Sequence, residues 1–423
     1  MIRIEPHALD YGRLVRPGDR VAWGQAAAEP INLTRTLVAQ RHRIGGRFSV
    51  FMGAAWTDTV QPECADVMDI QSYSGAGFNR ALAQAGVLDV LCSHYSTFER
   101  ALAPGGPCRV DVLLLQLAPP GPDGRFSLSV AHEYLVPLVG SSRVVIAEVN
   151  AAAPWTFGSH TLSEADIDVA IWTDRPLPKP SGSPAGPIEQ AIATRAAEHI
   201  EDGATLQLGV GTLPESVLSR LTDRRDLGIH SGAIGDAVAD LSDAGVITNA
   251  RKAIDRGLTI AGVMMGSRRL HAHAHRNPAV QFRPTSYTHD VRVLAALDGL
   301  VAINAAVEVD LTGQVNAEEA RGRYVGAVGG ALDFMRGAQL ARGGLSIITL
   351  PSRAGAAPRI VAKLQGPVST PRSDVALVVT EHGVADLRGA SIAQRVQRML
   401  AVAHPDDRSE LERQYSLRSG RTS

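Results

Sequence analysis

TLQLGVGTLPESVLSRLTDRRDLGIHSGAIGDAVADLSDAGVITN, residues Thr205 to Asn249, holds two glycine-rich strand ends close together in the chain. Its first residues, 205–208, form an apolar run that predicts a β-strand. The turn GVGTLP follows at 209–214, and a helix is predicted from Pro214 to Leu221, with proline in its first turn. A strand, a glycine turn and a helix N-terminus together present backbone N–H groups to an anionic or carbonyl-bearing ligand. A plain strand-to-helix connection is the alternative interpretation.

The second half of this stretch repeats the pattern. A short strand is predicted from Leu227, and it ends in the sequence HSG at 230–232. Ligands of open α/β sheets bind outside the carboxyl ends of parallel strands. We therefore expect the two glycine-rich strand ends to border one crevice at the carboxyl edge of a parallel sheet.

The same alternation of strands and helices extends over the whole chain and predicts an α/β fold. Strands are predicted at 48–52, 110–115, 144–149, 205–208, 258–263, 301–304, 345–350 and 375–380. These runs are largely apolar, as expected for parallel strands that are covered on both faces.

A chain of 423 residues is too long for one ordinary core, so two domains are expected. The segment RPLPKPSGSPAGP, from Arg175 to Pro187, has five prolines in thirteen positions, which excludes a helix interior or a central strand. We read it as an extended linker and place the boundary near residue 182, giving domains 1–180 and 181–423.

The composition gives no support for a nucleic-acid-binding, membrane-bound or secreted protein. The formal net charge of -1 gives no argument for binding to nucleic acid or to a membrane surface. The three cysteines lack CxxC spacing, which favours reduced thiols in the cytoplasm. No apolar run reaches the roughly 18 residues of a membrane-spanning helix, and the N-terminus lacks the apolar core of a signal peptide. We expect a cytoplasmic protein without nucleic-acid or membrane partners.

Several segments, in order along nearly the whole chain, carry a family resemblance. They are LQLGVGTLPESV (206–217), LGIHSGAIGDAVADLSDAGVITN (227–249), INAAVEVDLTGQVNAE (303–318), VGGALDFMRGA (328–338), VVTEHGVADLRG (378–389) and AHPDDR (403–408). Together they resemble the acetyl-CoA hydrolase/transferase family of class I coenzyme A transferases, which includes 4-hydroxybutyrate and butyrate–acetate CoA-transferases.

The resemblance implies two tandem open-sheet α/β domains of the CoA-transferase (NagB/RpiA-like) type. It implies an enzyme that moves CoA between a short-chain acyl-CoA and a carboxylate of the acetate type. Coenzyme A and its acyl esters would then be substrates, with no permanently bound cofactor. The family's members are commonly homo-oligomers, so a homo-oligomer is expected.

Binding residues follow from the same resemblance. The loop implied to meet the thioester end consists of Gly209, Val210, Gly211, Thr212 and Leu213. The glycine pair Gly329 and Gly330 is implied to meet coenzyme A. Lys363 is a candidate for pairing with the nucleotide phosphates, as are Arg321 and Arg323, although a solvated surface charge is the alternative for each.

One departure from the family bears on mechanism. Where such transferases carry a nucleophilic glutamate, this chain reads Ile229-His230-Ser231-Gly232, and glycine has no side chain to attack a thioester. Three hypotheses follow. In the first, a carboxylate from elsewhere in the chain supplies the nucleophile, and Glu308 is the best placed by sequence. In the second, water attacks with His230 as general base, giving a thioester hydrolase. In the third, the protein binds an acyl-CoA without turnover or needs a partner subunit to complete the site.

No metal site is predicted at the histidine-rich segment 271–275. His271, His273 and His275 are closely spaced, but Arg268, Arg269 and Arg276 around them would repel a cation. A polar surface helix is the preferred interpretation of this segment.

Overall fold

The computed structural model describes residues 1–180 and 184–419. The chain forms two compact units. The first comprises Met1–Ser181, Gly232–Ala239 and Leu258–Asp290, and the second comprises Gly182–Ser231, Asp240–Gly257 and Val291–Ser423. The predicted boundary near residue 182 lies outside the described residues, and the division into domains 1–180 and 181–423 stays a prediction.

The strands are short, and most follow an apolar run of the sequence. In chain order they are β1 (Ile2–Arg3), β2 (Arg20–Trp23), β3 (Phe48–Met52), β4 (Met68–Ser72), β5 (Leu88–Val90), β6 (Val112–Leu117), β7 (Val144–Asn150), β8 (Phe157–Gly158), β9 (Val169–Thr173), β10 (Thr205–Leu208), β11 (Gly228–Ile234), β12 (Thr259–Met264), β13 (Val280–Phe282), β14 (Leu300–Ala305), β15 (Glu308–Asp310), β16 (Val315–Asn316), β17 (Glu319–Ala320), β18 (Arg323–Tyr324), β19 (Leu345–Thr349), β20 (Arg353–Ala354), β21 (Ala357–Pro358), β22 (Ile360–Val361), β23 (Leu377–Thr380) and β24 (Gly383–Asp386).

Helices connect these strands. They are α1 (Tyr11–Leu14), α2 (Ile31–Gln40), α3 (Asn79–Gln84), α4 (Phe98–Leu102), α5 (Leu135–Val139), α6 (Pro187–Ala197), α7 (Thr212–Ser219), α8 (Asp236–Asp243), α9 (Arg268–Ala274), α10 (Thr285–Thr288), α11 (Val291–Ala295), α12 (Ala331–Leu340), α13 (Ile392–Val402) and α14 (Arg408–Ser419). In the described part of the chain, no helix is both long and apolar enough to cross a lipid bilayer.

The first unit contains an open eight-stranded sheet of order β1-β9-β7-β6-β2-β3-β4-β5, and every neighbouring pair in it is parallel. Strand β2 has β3 on one side and β6 on the other, so the chain reverses its direction of winding there. Every residue of β6 is buried, because both faces of the sheet are covered. The same unit also contains the parallel strands β12, β13 and β8.

The second unit is built in the same way. Its strands run in the order β24-β23-β19-β14-β10-β11, and all neighbouring pairs are parallel except β23 with β24. The winding reverses at β10, which lies between β11 and β14. Each unit is thus an open, mainly parallel sheet with helical connections, and the predicted class of two open-sheet α/β folds is confirmed.

The predicted strands are all present, displaced at their ends by two residues or fewer. The largest displacement is in the strand predicted at 110–115, which is β6 at 112–117. Asp111, just before it, exchanges backbone and side-chain hydrogen bonds with Arg20 instead of entering the ladder. The hydrophobic pattern of the sequence carries no information about these hydrogen bonds, so it does not predict where the strand begins.

A buried ion pair between Glu148 and Arg175 lies at the carboxyl edge of the first unit's sheet. Glu148, in β7, is fully buried, and Arg175 donates to its Oε1 from Nε at 2.5 Å. The guanidinium also donates through Nη2 to the Gln116 side chain and to the Glu29 carbonyl, each at 2.8 Å. The first residue of the predicted linker is therefore part of the folded unit.

We predict that Arg175→Met lowers the free energy of unfolding by about 3 kcal/mol or more, because it leaves the carboxylate of Glu148 buried without its cation. Arg13→Met is the matched control, since Arg13 is largely exposed, and it should change stability by less than about 0.5 kcal/mol. Chemical denaturation of both variants measures the difference. Equal stabilities would show that the buried pair contributes nothing.

Candidate functional site

The carboxyl ends of β10 and β14 form the point of the second unit's sheet where the winding reverses. The loop 209–213 follows β10, and residues 306–308 follow β14. The two strands are in parallel register over four residue pairs, and the Gly209 amide donates to the Ile303 carbonyl at 2.7 Å. In open α/β sheets such a reversal point is where ligands bind.

The loop after β10 exposes its backbone. Val210, Gly211 and Thr212 are exposed, whereas Leu213 is buried and anchors the helix α7. Gly211 has φ 125° and ψ 177°, a conformation that only glycine adopts without strain. The first turn of a helix leaves N–H groups without intrahelical partners, so the loop offers donors to a ligand.

The middle of strand β11 lies beside the end of β10. The Leu208 amide donates to the Ser231 hydroxyl at 3.2 Å, and that hydroxyl lies 3.3 Å from the Leu208 carbonyl. Two residues earlier in β11, the side chains of Asn249 and Lys252 bind the backbone of Ile229. The Ile229 amide donates to Asn249 Oδ1 at 2.8 Å, and Lys252 Nζ donates to the Ile229 carbonyl at 2.9 Å. The predicted end of this strand at 230–232 is wrong, because β11 continues to Ile234, but the neighbouring placement of β10 and β11 is confirmed.

The first unit has its own reversal point, between β2 and β6, and a buried polar cluster lies there. Gln25 follows β2, and Glu133 lies in the segment that leads from β6 to α5. Gln25 Nε2 donates to Glu133 Oε2 at 2.7 Å, and the Tyr95 hydroxyl donates to the same oxygen at 2.6 Å. Tyr73 donates in turn to Gln25 Oε1.

Glu133 is unusual in three respects. It is 1% exposed. Its second carboxyl oxygen, Oε1, is buried and has no hydrogen-bond partner among the residues that the structure describes. Its backbone has a positive φ of 22°, which a residue with a side chain rarely adopts. Burial raises the pKa of Glu133 to about 7, against the lowering effect of the Tyr95 and Gln25 hydrogen bonds.

Glu133 and Gly232 both lie against Gly262 within this unit. The amide of His132, its chain neighbour, donates to the Gly262 carbonyl at 2.9 Å. A Cβ placed on Gly262 would lie 2.9 Å from the Gly232 carbonyl oxygen and 3.6 Å from Glu133 Cβ. A side chain at 262 would therefore push into the Gly232 backbone, and glycine keeps the two close.

Comparison with protein families supplies the identification. The chain matches the model of the acetyl-CoA hydrolase/transferase N-terminal domain over residues 7–173. It matches the model of the C-terminal domain of the same family over residues 266–415. The chain belongs to the acetyl-CoA hydrolase/transferase family. The resemblance noted from the sequence is confirmed, and the family's proteins are CoA-transferases and acetyl-CoA hydrolases.

Individual relatives agree with this family. A 4-hydroxybutyrate coenzyme A transferase from Clostridium kluyveri is 35% identical over 408 residues, covering 94% of each chain. A butyryl-CoA:acetate CoA-transferase from Anaerostipes caccae is 30% identical over 419 residues, covering 94% of this chain and 93% of that protein. The crystal structure of RipA from Yersinia pestis superposes with a TM-score of 0.93 at 32% identity, covering 100% of this chain and 98% of that one.

The other residues implied by the family resemblance all lie in the second unit. Gly329 and Gly330 precede α12, and both are half-buried. Lys363 is exposed, two residues after β22. Glu308 is half-buried at the start of β15, where Asn316 Nδ2 donates to its Oε2 at 3.5 Å. The roles assigned to these residues stay predictions.

His230 is fully buried in β11, directly before Ser231. Gly232, which follows them, is half-buried. That a family glutamate is replaced at position 232 stays a prediction from the resemblance, as does a general-base role for His230.

The sequence reasoning missed the cluster of Gln25, Tyr95 and Glu133. Its signal in the sequence is weak, because Gln25 and Glu133 are separated by 108 positions and neither belongs to a recognised motif. The order of the strands brings them together. Two adjacent polar residues, His132-Glu133, between the apolar runs 128–131 and 134–139 were the available hint.

The three histidines considered for a metal are spread over α9 and its end. His271 is buried and His275 caps the helix, where its Nδ1 accepts from the Trp155 amide at 3.0 Å. Across residues 1–180 and 184–419, no three His, Cys, Asp or Glu side chains are grouped to hold a metal ion.

The raised pKa of Glu133 has a consequence for stability. The unfolded chain loses the Glu133 proton near the group's ordinary value, while the folded protein keeps it to about pH 7. The folded state thus binds more protons in this window, and stability falls as the pH rises through it.

We predict that Glu133→Gln gains stability relative to the wild type by about 3 kcal/mol between pH 4 and pH 8, since the amide cannot ionise. Denaturant unfolding at the two pH values measures the change for each protein. The exposed Glu63→Gln is the control and should show no such gain. A pH-independent difference between Glu133→Gln and the wild type would contradict the buried neutral carboxyl.

Proposed function

We propose that this protein transfers coenzyme A between a short-chain acyl-CoA and a carboxylate of the acetate type. The observation that carries the proposal is the exposed loop 209–213 at the reversal point of β10 and β14. Preorganised backbone N–H groups of this kind stabilise the negative charge that develops on a thioester oxygen during acyl transfer. Relatives named as CoA-transferases, matched over 94% of this chain, support the same reaction.

The coenzyme would extend from this loop over the second unit. Gly329 and Gly330 stand before a ten-residue helix, α12, whose first N–H groups point away from the helix body. Lys363 is exposed and free to reach a phosphate as a point charge. The chain has three lysines, and Lys252 is buried against β11, so Lys363 and Lys179 are the exposed ones. We assign the pantetheine to the glycine pair and a nucleotide phosphate to Lys363.

A second candidate is an acyl-CoA hydrolase. It is favoured by Gly232, because a glycine in that place leaves room for water next to His230. The third hypothesis, a protein that binds acyl-CoA without turnover, shares the same loop.

One assay separates these functions. Purified protein is incubated with acetyl-CoA and a panel of carboxylates, including butyrate, 4-hydroxybutyrate and succinate, and the CoA species are resolved by mass spectrometry. New acyl-CoA esters demonstrate a transferase, free CoA without new esters demonstrates a hydrolase, and unchanged acetyl-CoA with measurable binding demonstrates a binder. Absence of both turnover and binding would refute the proposed function.

We predict that Gly211→Ala lowers kcat/KM for acyl-CoA by about a hundredfold, because a side chain forces the loop out of its extended left-handed conformation and displaces its donors. Gly245→Ala is the matched control. Gly245 also has a positive φ, 74°, and open surroundings, but it lies in the turn after α8.

Both glycine variants should lose stability, by about 1–3 kcal/mol, from backbone strain. Only Gly211→Ala should lose acyl-CoA turnover, as measured by initial rates with folded protein. Equal kcat/KM values for the two variants would remove the loop from the site.

We also infer a cytoplasmic homo-oligomer. Cys64, Cys92 and Cys108 are not joined by disulfides, which fits a reducing compartment, and the oligomer is carried over from the family resemblance. Sedimentation velocity gives the number of subunits, and a monomer at micromolar concentration would contradict the second expectation.

A further inference from the structure

We propose that Glu133 supplies the carboxylate that attacks the acyl-CoA thioester, in place of the side chain that Gly232 lacks. The inference rests on the proposed CoA-transferase function and names the carboxylate that would react in it. Neither the family resemblance nor the sequence assigns Glu133 a role, and it lies on a different segment from the residues considered before.

Position is the first argument. Glu133 and Gln25 meet at the carboxyl ends of β2 and β6, the reversal point of the first unit's sheet, where open α/β sheets bind ligands. The Cβ position at Gly262 touches both Glu133 Cβ and the Gly232 carbonyl, at 3.6 Å and 2.9 Å. Gly232 and the root of the Glu133 side chain therefore lie on either side of the same glycine, Gly262.

The hydrogen bonding of the carboxyl group is the second argument. Oε2 accepts from Gln25 and from Tyr95, which fixes the plane of the group. Oε1 accepts no hydrogen bond from residues 1–180 or 184–419, although it is buried. Buried polar atoms in native proteins are almost always satisfied, so an orphan carboxyl oxygen at a ligand-binding edge indicates an interaction that belongs to a substrate.

A second buried carboxylate on the same edge shows the contrast. Glu29 also follows β2 and is 4% exposed. Thr34 donates its hydroxyl to Oε1 at 2.7 Å, and Thr57 donates its hydroxyl to Oε2 at 2.5 Å. Both oxygens of Glu29 are thus occupied, as expected for a structural carboxylate, whereas only one oxygen of Glu133 is occupied.

The electrostatic surroundings of Glu133 suit a reacting carboxylate. The titratable groups around it are the phenols of Tyr73, Tyr95 and Tyr134, whose pKa values burial raises, so they stay neutral. The His289 ring contacts that of Tyr95, with the ring centroids 5.0 Å apart and the planes tilted by 41°. Burial lowers the pKa of His289 to about 3, so it is neutral as well. With a pKa of about 7, Glu133 is a more basic carboxylate than a solvated one and is still ionised in an appreciable fraction at neutral pH.

The chemistry balances without any further reactant. Oε1 of ionised Glu133 attacks the thioester carbonyl carbon, the C–S bond breaks, and CoA leaves as the thiolate, which gives a mixed anhydride on Glu133. The thiolate then attacks Cδ of Glu133, the anhydride C–O bond breaks, and the donor acid leaves as a carboxylate. CoA is now a thioester of Glu133, and the acceptor carboxylate takes it over by the same two steps in reverse.

The test traps that thioester. Wild-type protein, Glu133→Gln, Glu133→Asp and Glu29→Gln are each incubated with acetyl-CoA, treated with borohydride or hydroxylamine, digested and mapped by mass spectrometry. We expect the wild type and Glu29→Gln to be modified at residue 133. We expect Glu133→Gln to be unmodified, with kcat/KM reduced on the order of a thousandfold or more.

Two further measurements separate catalysis from folding. Glu133→Asp keeps the carboxylate and should recover part of the turnover and of the modification, while thermal unfolding shows whether each variant is folded. The wild-type kcat/KM should rise with pH through about 7 as Glu133 ionises, and the rise should vanish in Glu133→Gln.

The failure of this inference differs from the failure of the proposed function. A wild type that exchanges acyl groups but is modified at another carboxylate, or a folded Glu133→Gln that keeps wild-type kcat/KM, overturns the role of Glu133 and leaves the CoA-transferase intact. Loss of turnover in Glu133→Gln without any modification of the wild type also overturns the covalent role. A wild type without exchange or hydrolysis overturns the function itself, and the inference with it.

Discussion

Parallel pairing of neighbouring strands is the constraint on which both units depend. Where β10 pairs with β14, and where β2 pairs with β6, the winding of the chain reverses and the following loops diverge. The loop 209–213 occupies the first of these places and the cluster around Glu133 occupies the second. Short strands that are buried on both faces hold these positions rigidly, so the polar groups at their ends are preorganised rather than flexible.

The buried carboxylates at these sheet edges are stabilised by a cation or by hydrogen-bond donors. Glu148 has the guanidinium of Arg175, and Glu29 has two threonine hydroxyls. Glu133 has two donors on one oxygen and none on the other, and burial keeps its proton to about pH 7. A carboxyl group kept in this condition lowers the stability of the folded state, which is the usual cost of a group positioned for chemistry.

Much of the fold could be predicted from the sequence, because apolar runs such as 112–117 and 144–150 mark buried parallel strands directly. The pairing of β10 with β11 could also be predicted, since the two strands are close in the chain, although β11 continues past the predicted end at 230–232 to Ile234. The site around Glu133 could not be predicted in this way. Its hydrogen-bond donor Gln25 lies 108 positions away in the chain, and only the order of the strands brings the two residues together. The predicted linker at 175–187 begins too early. Its proline content indicates an extended segment but carries no signal for the buried ion pair that Arg175 forms with Glu148.

The glycine at position 262 limits what the first unit can hold between two of its segments. A Cβ there would lie 2.9 Å from the Gly232 carbonyl oxygen and 3.6 Å from Glu133 Cβ. Any larger residue at 262 would therefore displace the backbone at 232 or the segment that carries Glu133, and with that segment the hydrogen bonds of the buried carboxyl group.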